Sequence, residues 1–227
     1  MSRVSLLRSI SLFSGLSDAE LEVLADRLGK RTFGRGVILF HKDSPGNILY
    51  IIEAGKVRIF VLSESGQEIS FRIYGTGEVF GELSMLDGLP RSAGAVAMEE
   101  THVLTLQRED FMELLEAYPH LAKGVIATLT ARVRYTTQYA ENLTFLDVEG
   151  RVAQRLLELA DQYGIQTAGG LEVAVQLTQS DLASLVGATR ERVNKVLGAF
   201  RDQGLIELDV DKLVIRDRRG LRRHILY

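Results

Sequence analysis

A single glycine, Gly187, divides the stretch Gln179–Gly198 into two runs of helical hydrophobic period. Leu182, Leu185 and Val186 form one apolar face, and Val193, Val196, Leu197 and Phe200 form the next. With Gln179 as the first position, Ala183 falls fifth, where two crossing helices leave no room for a larger side chain. Gly187 falls ninth, where the turn needs a left-handed backbone, and Val193 fifteenth, in the small core between the helices. Thr178 or Ser180 can cap the first helix and Thr189 the second. The pattern reads as a helix-turn-helix. Arg190, Glu191, Asn194 and Lys195 are left on the other face, near the start of the second helix. That part of a helix-turn-helix enters the DNA major groove, where arginine pairs bidentately with guanine and glutamate accepts from cytosine N4. The plainer alternative is a helical hairpin on which Glu191 and Lys195 form a surface pair worth ~0.3 kcal/mol. Position, turn and polar face together favour DNA. Beyond the unit, Leu205–Leu208 and Lys212–Arg216 read as two strands of a wing.

The charge distribution agrees. The chain carries a net charge of −3, but Arg190 to Tyr227 holds 10 Lys+Arg against 6 Asp+Glu, a net of +4, and residues 1–189 carry −7. The basic excess sits where a phosphate backbone would be met. There is no cysteine, which excludes disulfides, thiolate-ligated zinc and iron–sulfur clusters and fits a reducing cytoplasm. His41, His102, His120 and His224 are scattered without metal-ligand spacing. No apolar run reaches the length of a membrane span, and Arg8 interrupts the only leader-like segment, Met1 to Ser14.

Three textures follow one another along the chain. A helical lead carries a capping-box pattern at Ser17 and Glu20, with Leu21, Leu24 and Leu28 at helical spacing. From about Lys30 to Leu106, β-formers are punctuated by Gly46, Gly55, Gly66, Gly77 and Gly88, about every ten residues. The runs Ile48–Ile52, Lys56–Leu62 and Glu68–Ile73 lie between them, and the spacing fits a barrel or a sandwich equally. The third texture is helical. Asp110–Tyr118 is a short helix ended by Pro119. In a long one after it, Leu121, Val125, Leu129, Val133, Thr136, Ala140 and Leu143 recur three or four apart. That stripe is either a coiled-coil seam of a symmetric dimer or a face packed on the chain's own β-domain. The pattern restarts at Asp147, which can cap a helix carrying Val152, Leu156, Leu157 and Ala160, so a domain boundary is expected near 142–150.

Phe80-Gly81-Glu82-Leu83-Ser84 is followed by Pro90-Arg91-Ser92-Ala93. A helical turn starting at Gly81 presents free N–H groups to an anion, Arg91 and the Ser92 hydroxyl can hold a phosphate, and Glu82 can accept from a sugar hydroxyl. A structural Glu82–Arg91 ion pair at the edge of the β-domain is the equal alternative. Gly75-Thr76-Gly77 with Gly81 is not a dinucleotide fingerprint, and no Gly-Lys-Ser/Thr loop for nucleotide hydrolysis is present. With no nucleophile–base set and no metal cluster, an enzyme is not expected. A regulatory module of a kinase or channel is disfavoured by the helix-turn-helix.

These residues, in this order, resemble the family of cyclic-AMP receptor proteins and their relatives, the CRP/FNR family. The likeness covers nearly the whole chain. It includes Leu12-Phe13-Ser14-Gly15-Leu16, the glycine-punctuated strands, the segments around Glu82 and Arg91, Asn142-Leu143-Thr144-Phe145-Leu146-Asp147-Val148, and Gly187-Ala188-Thr189-Arg190-Glu191-Arg192-Val193. The resemblance implies an α+β fold. Residues 1–142 would form an effector domain, a jelly-roll-like β-roll with a dimerisation helix over about 119–145, and residues 143–227 a winged helix-turn-helix domain. It implies a cytoplasmic homodimer on a near-palindromic double-stranded DNA site, cyclic AMP as the allosteric effector, and RNA polymerase as a partner. Gly81, Glu82 and Leu83 would face ribose and phosphate, Arg91 and Ser92 would bind the cyclic phosphate, and Arg132 would lie nearby. Thr136 and Thr137 match the pair that reaches the adenine, one of them from the partner subunit. In the DNA domain, Arg190, Glu191 and Lys195 match the base-reading positions, and Thr178, Gln179, Ser180, Thr189 and Asn194 flank them. Lys195 stands where the best-studied relatives carry arginine, and Gln179 where they carry a basic residue. No metal, haem or iron–sulfur cluster is implied. Some relatives keep the fold without the nucleotide, so a constitutive regulator, or one answering another effector, is the alternative.

Overall fold

The computed structural model describes residues 2–209 and 212–225. The chain divides into two compact units, Met1–Val61 with Phe71–Thr136, and Leu62–Ser70 with Thr137–Tyr227.

The first unit opens with α1 (Arg3–Ser9), a turn of 3-10 helix at Ser11–Phe13, and α2 (Asp18–Asp26). The expected capping box forms: the Ser17 hydroxyl accepts from the Glu20 N–H while the Ser17 N–H donates to the Glu20 carboxylate at 2.7 Å. The lead belongs to the core, because Leu7, Leu12, Phe13, Leu21 and Leu24 bury against Leu49, Ile51, Leu104 and Leu106 of a sheet. That sheet has the order β1 (Gly29–Phe33), β8 (Thr101–Gln107), β3 (Ile48–Ala54), β6 (Val79–Phe80). A second has the order β2 (Ile38–Phe40), β7 (Gly94–Ala97), β4 (Val57–Leu62), β5 (Glu68–Tyr74). Tyr50, Ile52, Val57, Phe80, Ala95 and Val103 fill the space between them, with Tyr50 stacked on Phe80 at 5.1 Å. The glycine spacing therefore resolves into a roll of two four-stranded sheets. A short helix, α3 (Glu82–Asp87), interrupts it between β6 and β7.

The helix expected at Asp110–Tyr118 runs instead as α4, Arg108–Ala117, directly out of β8, with Glu109 and Asp110 in its first turn. The long helix is α5, Leu121–Phe145. Its stripe splits. Leu121 and Val125 are buried in the roll's own core and Leu129 packs partly against it, so the start of the proposed seam belongs to the domain. Val133 is 65% exposed and Ile126, which the stripe had omitted, 62%.

In the second unit, Asp147 caps α6 (Val148–Tyr163) by accepting from the Gly150 N–H at 2.8 Å, and Val152, Leu156, Leu157 and Ala160 are buried. A hairpin of β9 (Gly164–Thr167) and β10 (Gly170–Val173) follows. Its two-residue turn, Ala168-Gly169, is not one of the Asn-Gly or Asp-Gly pairs that mark a hairpin in a sequence. Then come α7 (Gln179–Val186), α8 (Arg190–Asp202), β11 (Ile206–Asp209) and β12 (Lys212–Ile215). The wing pair joins the earlier hairpin in a sheet of order β11-β12-β10-β9. The unit closes with α9 (Arg218–Arg223), also unanticipated, capped by the Asp217 carboxylate and anchored by buried Leu221. The described helices include none long and apolar enough to cross a membrane.

Candidate effector pocket and nucleic-acid interface

The cavity of interest lies wholly within the first unit and has a volume of about 60 Å³. Gly81, Glu82, Leu83, Arg91, Ser92 and Arg132 all line it. The local fold explains why they converge. Gly81 turns the chain from β6 into α3 at φ +84, a conformation side-chain-bearing residues rarely adopt, and so aims Glu82 inward. The segment before β7 is held by backbone bonds from Arg91 N–H to Ser44 O at 2.9 Å and from Asp43 N–H to Arg91 O at 2.8 Å.

Arg91 is 4% exposed. Its guanidinium donates to Gly81 O at 2.8 Å and Ile48 O at 2.7 Å and lies over the Phe40 ring at 4.3 Å. Its Nε, buried, has no hydrogen-bond partner. Burial lowers its pKa, while Tyr50 and Glu82 act in the opposite direction.

Glu82 is 3% exposed and does not pair with Arg91. Its partner is Arg132 of α5, whose Nε lies 2.7 Å from a Glu82 oxygen. The contact is close but poorly aligned, and neither Glu82 oxygen has a well-formed hydrogen bond. Arg132 is held by its other nitrogens, which donate to Tyr74 Oη and to Val79 O. Burial raises the Glu82 pKa, while Arg132, the residue's own backbone N–H and Arg91 pull it down. The cavity thus presents a buried carboxylate with spare acceptor capacity beside a guanidinium with a spare donor. That pairing suits a ligand with both hydroxyl and anionic groups. Ser92 is exposed at its mouth.

Thr136 and Thr137 are not in this lining; both are exposed on α5. Sequence reasoning missed Phe40, which seats Arg91, and Tyr74, which orients Arg132. Neither carries a local signal. Among the described residues no cluster of histidine and carboxylate groups can hold a metal ion.

In the helix-turn-helix, Thr178 rather than Ser180 caps α7. Its hydroxyl accepts from the Asp181 N–H at 3.1 Å while its own N–H donates to Asp181 at 2.9 Å. Gly187 adopts φ +61, and Thr189 caps α8 through the Arg192 N–H at 3.3 Å. Ala183, Val193, Leu197 and Phe200 are buried. Arg190, Glu191 and Lys195 are exposed along the start of α8 beside exposed Gln179, which accepts from Arg190 Nε at 3.2 Å. Asn194 departs from expectation: it is half-buried, and its Oδ1 is turned into the interior without a partner. The supposed Glu191–Lys195 pair is not among the ion pairs of the described residues, so both side chains remain presented outward. Part of the basic excess is neutralised by acids outside the segment, because Lys212 and Arg218 pair with Glu172 and Asp161.

Residues 30–118 match the family "Cyclic nucleotide-binding domain" and residues 150–224 the family "Crp-like helix-turn-helix domain". Fold and sites together define a DNA-binding transcription regulator with a cyclic nucleotide-binding domain. The chain is 36% identical over 218 residues to a CRP-like cAMP-activated global transcriptional regulator of Mycobacterium tuberculosis, covering 96% of this chain and 97% of that one. It is 35% identical over 211 residues to the cyclic AMP receptor protein of Thermus thermophilus, covering 93% and 94%. In fold it matches the solved structure of the c-di-GMP responsive global regulator CLP of Xanthomonas campestris. The TM-score is 0.79 over 88% of this chain and 100% of that one, at 22% identity. The chain belongs to the CRP/FNR family of transcription regulators.

Proposed function

We propose that this chain is a homodimeric regulator, cytoplasmic, whose binding to a near-palindromic operator is controlled by cyclic AMP. The observation that carries the effector reading is Glu82, whose buried carboxylate keeps both oxygens without a well-formed hydrogen bond in a cavity that also holds Arg91. In this reading Glu82 accepts from a ribose hydroxyl, Arg91 Nε and Ser92 donate to the cyclic phosphate, and Gly81 and Leu83 border it. Arg132 lies on α5 and is the route by which the pocket is felt there. Thr136 and Thr137, exposed on the same helix, reach the adenine once a second subunit is alongside. Ile126, Leu129, Val133, Thr136, Ala140 and Leu143 follow a heptad a/d alternation, which supports a seam between two copies of α5. Residues 1–142 then act as the effector domain and 143–227 as the DNA domain. Thr178, Gln179, Ser180 and Thr189 meet phosphates while Arg190, Glu191 and Lys195 read bases, with Asn194 beside them. Nucleotide favours the arrangement of the pair that places both recognition helices on DNA, a shift of populations. The DNA-bound dimer then contacts RNA polymerase.

Calorimetry and thermal shift with cyclic AMP and cyclic GMP test this. At 100 times its dissociation constant a true ligand stabilises by ~2.7 kcal/mol. Tighter binding of cyclic AMP than of cyclic GMP is expected, with both weakened in Glu82→Ala. No response to either nucleotide would leave a DNA-binding regulator that is constitutive or answers another effector.

A further inference from the structure

The second unit holds a buried charge that neither the pocket nor the recognition face uses. Arg155, on α6, is only 8% exposed. Its Nη2 donates to Leu185 O at 3.1 Å, its Nη1 pairs with Glu158 at 3.0 Å, and its guanidinium lies 5.7 Å from the centre of the Tyr139 ring of α5. One turn earlier on α6, Arg151 donates to Val186 O at 2.8 Å and to Leu146 O at 3.0 Å.

Leu185 and Val186 are the last residues of α7, immediately before the left-handed Gly187. The final carbonyls of a helix have no partner within it and carry its negative dipole end, so cations there both satisfy and stabilise them. Two arginines spaced i, i+4 on a neighbouring helix take two successive carbonyls. That constrains the direction in which α7 ends, and with it the direction in which α8 begins. Tyr139 and the Leu143 side chain, which lies against Gly187, bring the end of α5 to the same junction.

We infer that Arg155 is a positioning residue for DNA reading. It fixes the turn before the recognition helix by holding the Leu185 carbonyl, and it links that turn to α5 through Tyr139. It touches no DNA itself. The inference rests on the helix-turn-helix reading of α7 and α8 and not on the identity of the effector.

A positioning role separates base reading from phosphate binding. Displacing α8 spoils hydrogen bonds to base edges while leaving the surface charge intact. The test uses the full-length protein, the duplex that wild type selects best from a random pool, and a non-specific duplex of alternating inosine and cytosine. Arg155→Met keeps length and loses the donors. It is expected to lose about tenfold or more in affinity for the selected duplex, the scale of one base contact. Non-specific affinity should stay within about twofold of wild type, since the surface charge that meets phosphates is unchanged. Arg155→Lys, which keeps the charge and a donor on a shorter reach, should fall between. Unchanged selected-site affinity in Arg155→Met, or an equal fall on both duplexes, overturns the assignment. If Arg155→Met does not fold, Arg155→Lys decides, and a specific-to-non-specific ratio equal to wild type overturns it. A wild-type protein that selects no duplex from the pool refutes the DNA reading itself and is distinguishable from either result.

Discussion

The Glu82 carboxylate lies 2.7 Å from Arg132 Nε, yet burial outweighs that positive charge and holds the carboxyl above its ordinary pKa of 4.5. A well-aligned buried pair would have lowered it. Arg132 is committed elsewhere, to Tyr74 and Val79, and cannot also align with Glu82. The carboxylate is therefore desolvated without full compensation, which costs stability and preserves its acceptor capacity for something else.

That cost has a pH signature. For an acid whose folded pKa is raised, the folded state binds the proton first, so stability rises as pH falls through the folded pKa and levels off below the unfolded value of about 4.5. Wild type should gain stability relative to Glu82→Gln across that window, because the glutamine variant has no such proton to bind. Denaturant unfolding of both proteins at a series of pH values reads the double difference, which cancels shared groups. A difference independent of pH would mean that Glu82 is compensated.

Arg91→Leu should abolish cyclic-nucleotide binding, but not cleanly. Gly81 O and Ile48 O both accept from this guanidinium, and orphaning buried carbonyls costs about 1–3 kcal/mol each. A lowered melting temperature should accompany the lost calorimetric signal. Loss of stability with retained binding would remove Arg91 from the ligand site.

Gly187→Ala should destabilise the second unit by about 1–2 kcal/mol through its left-handed backbone alone. The added methyl would also meet Leu143 Cδ2 at 3.2 Å. Chemical denaturation measures the cost, and DNA affinity should fall with it while nucleotide affinity holds.

Arg190→Ala should cost ~1–3 kcal/mol in specific DNA binding and relax base preference at one position in each half-site. Selection from a randomised duplex pool is the measurement. An equal loss on every sequence would make Arg190 a phosphate contact instead.

Val133→Glu places a charge on an α5 side chain that is 65% exposed in the isolated chain. The protein should shift from dimer to monomer in analytical ultracentrifugation at micromolar concentration, without a change in circular dichroism. A monomeric wild type would remove the seam altogether.

Much of the fold was legible because its signals are local. The Ser17 and Asp147 caps, the run from Ile48 and the turn at Gly187 each depend on residues a few positions apart. The hairpin Gly164–Val173 lacks such a signal, since Ala168-Gly169 is not a pair that favours a primed turn. The apolar stripe of α5 was half legible. A helical stripe shows that a face is apolar without naming what covers it, and the core took Leu121 and Val125 while leaving Val133 exposed. In the pocket, Gly81, Glu82, Arg91 and Ser92 stood out through their segments, whereas Phe40 and Tyr74 did not.

For the helix-turn-helix, the order of residues from Gln179 to Phe200 was sufficient, since helical period, capping and one left-handed glycine are properties of consecutive residues. The family resemblance followed from motifs equally contiguous. Pairings between distant segments were settled only in three dimensions. Glu82 pairs with Arg132 rather than Arg91, and Arg155 reaches Leu185 and Tyr139. A charged side chain's partner depends on which elements pack together and on competing carbonyls within reach, and spacing along the chain carries neither.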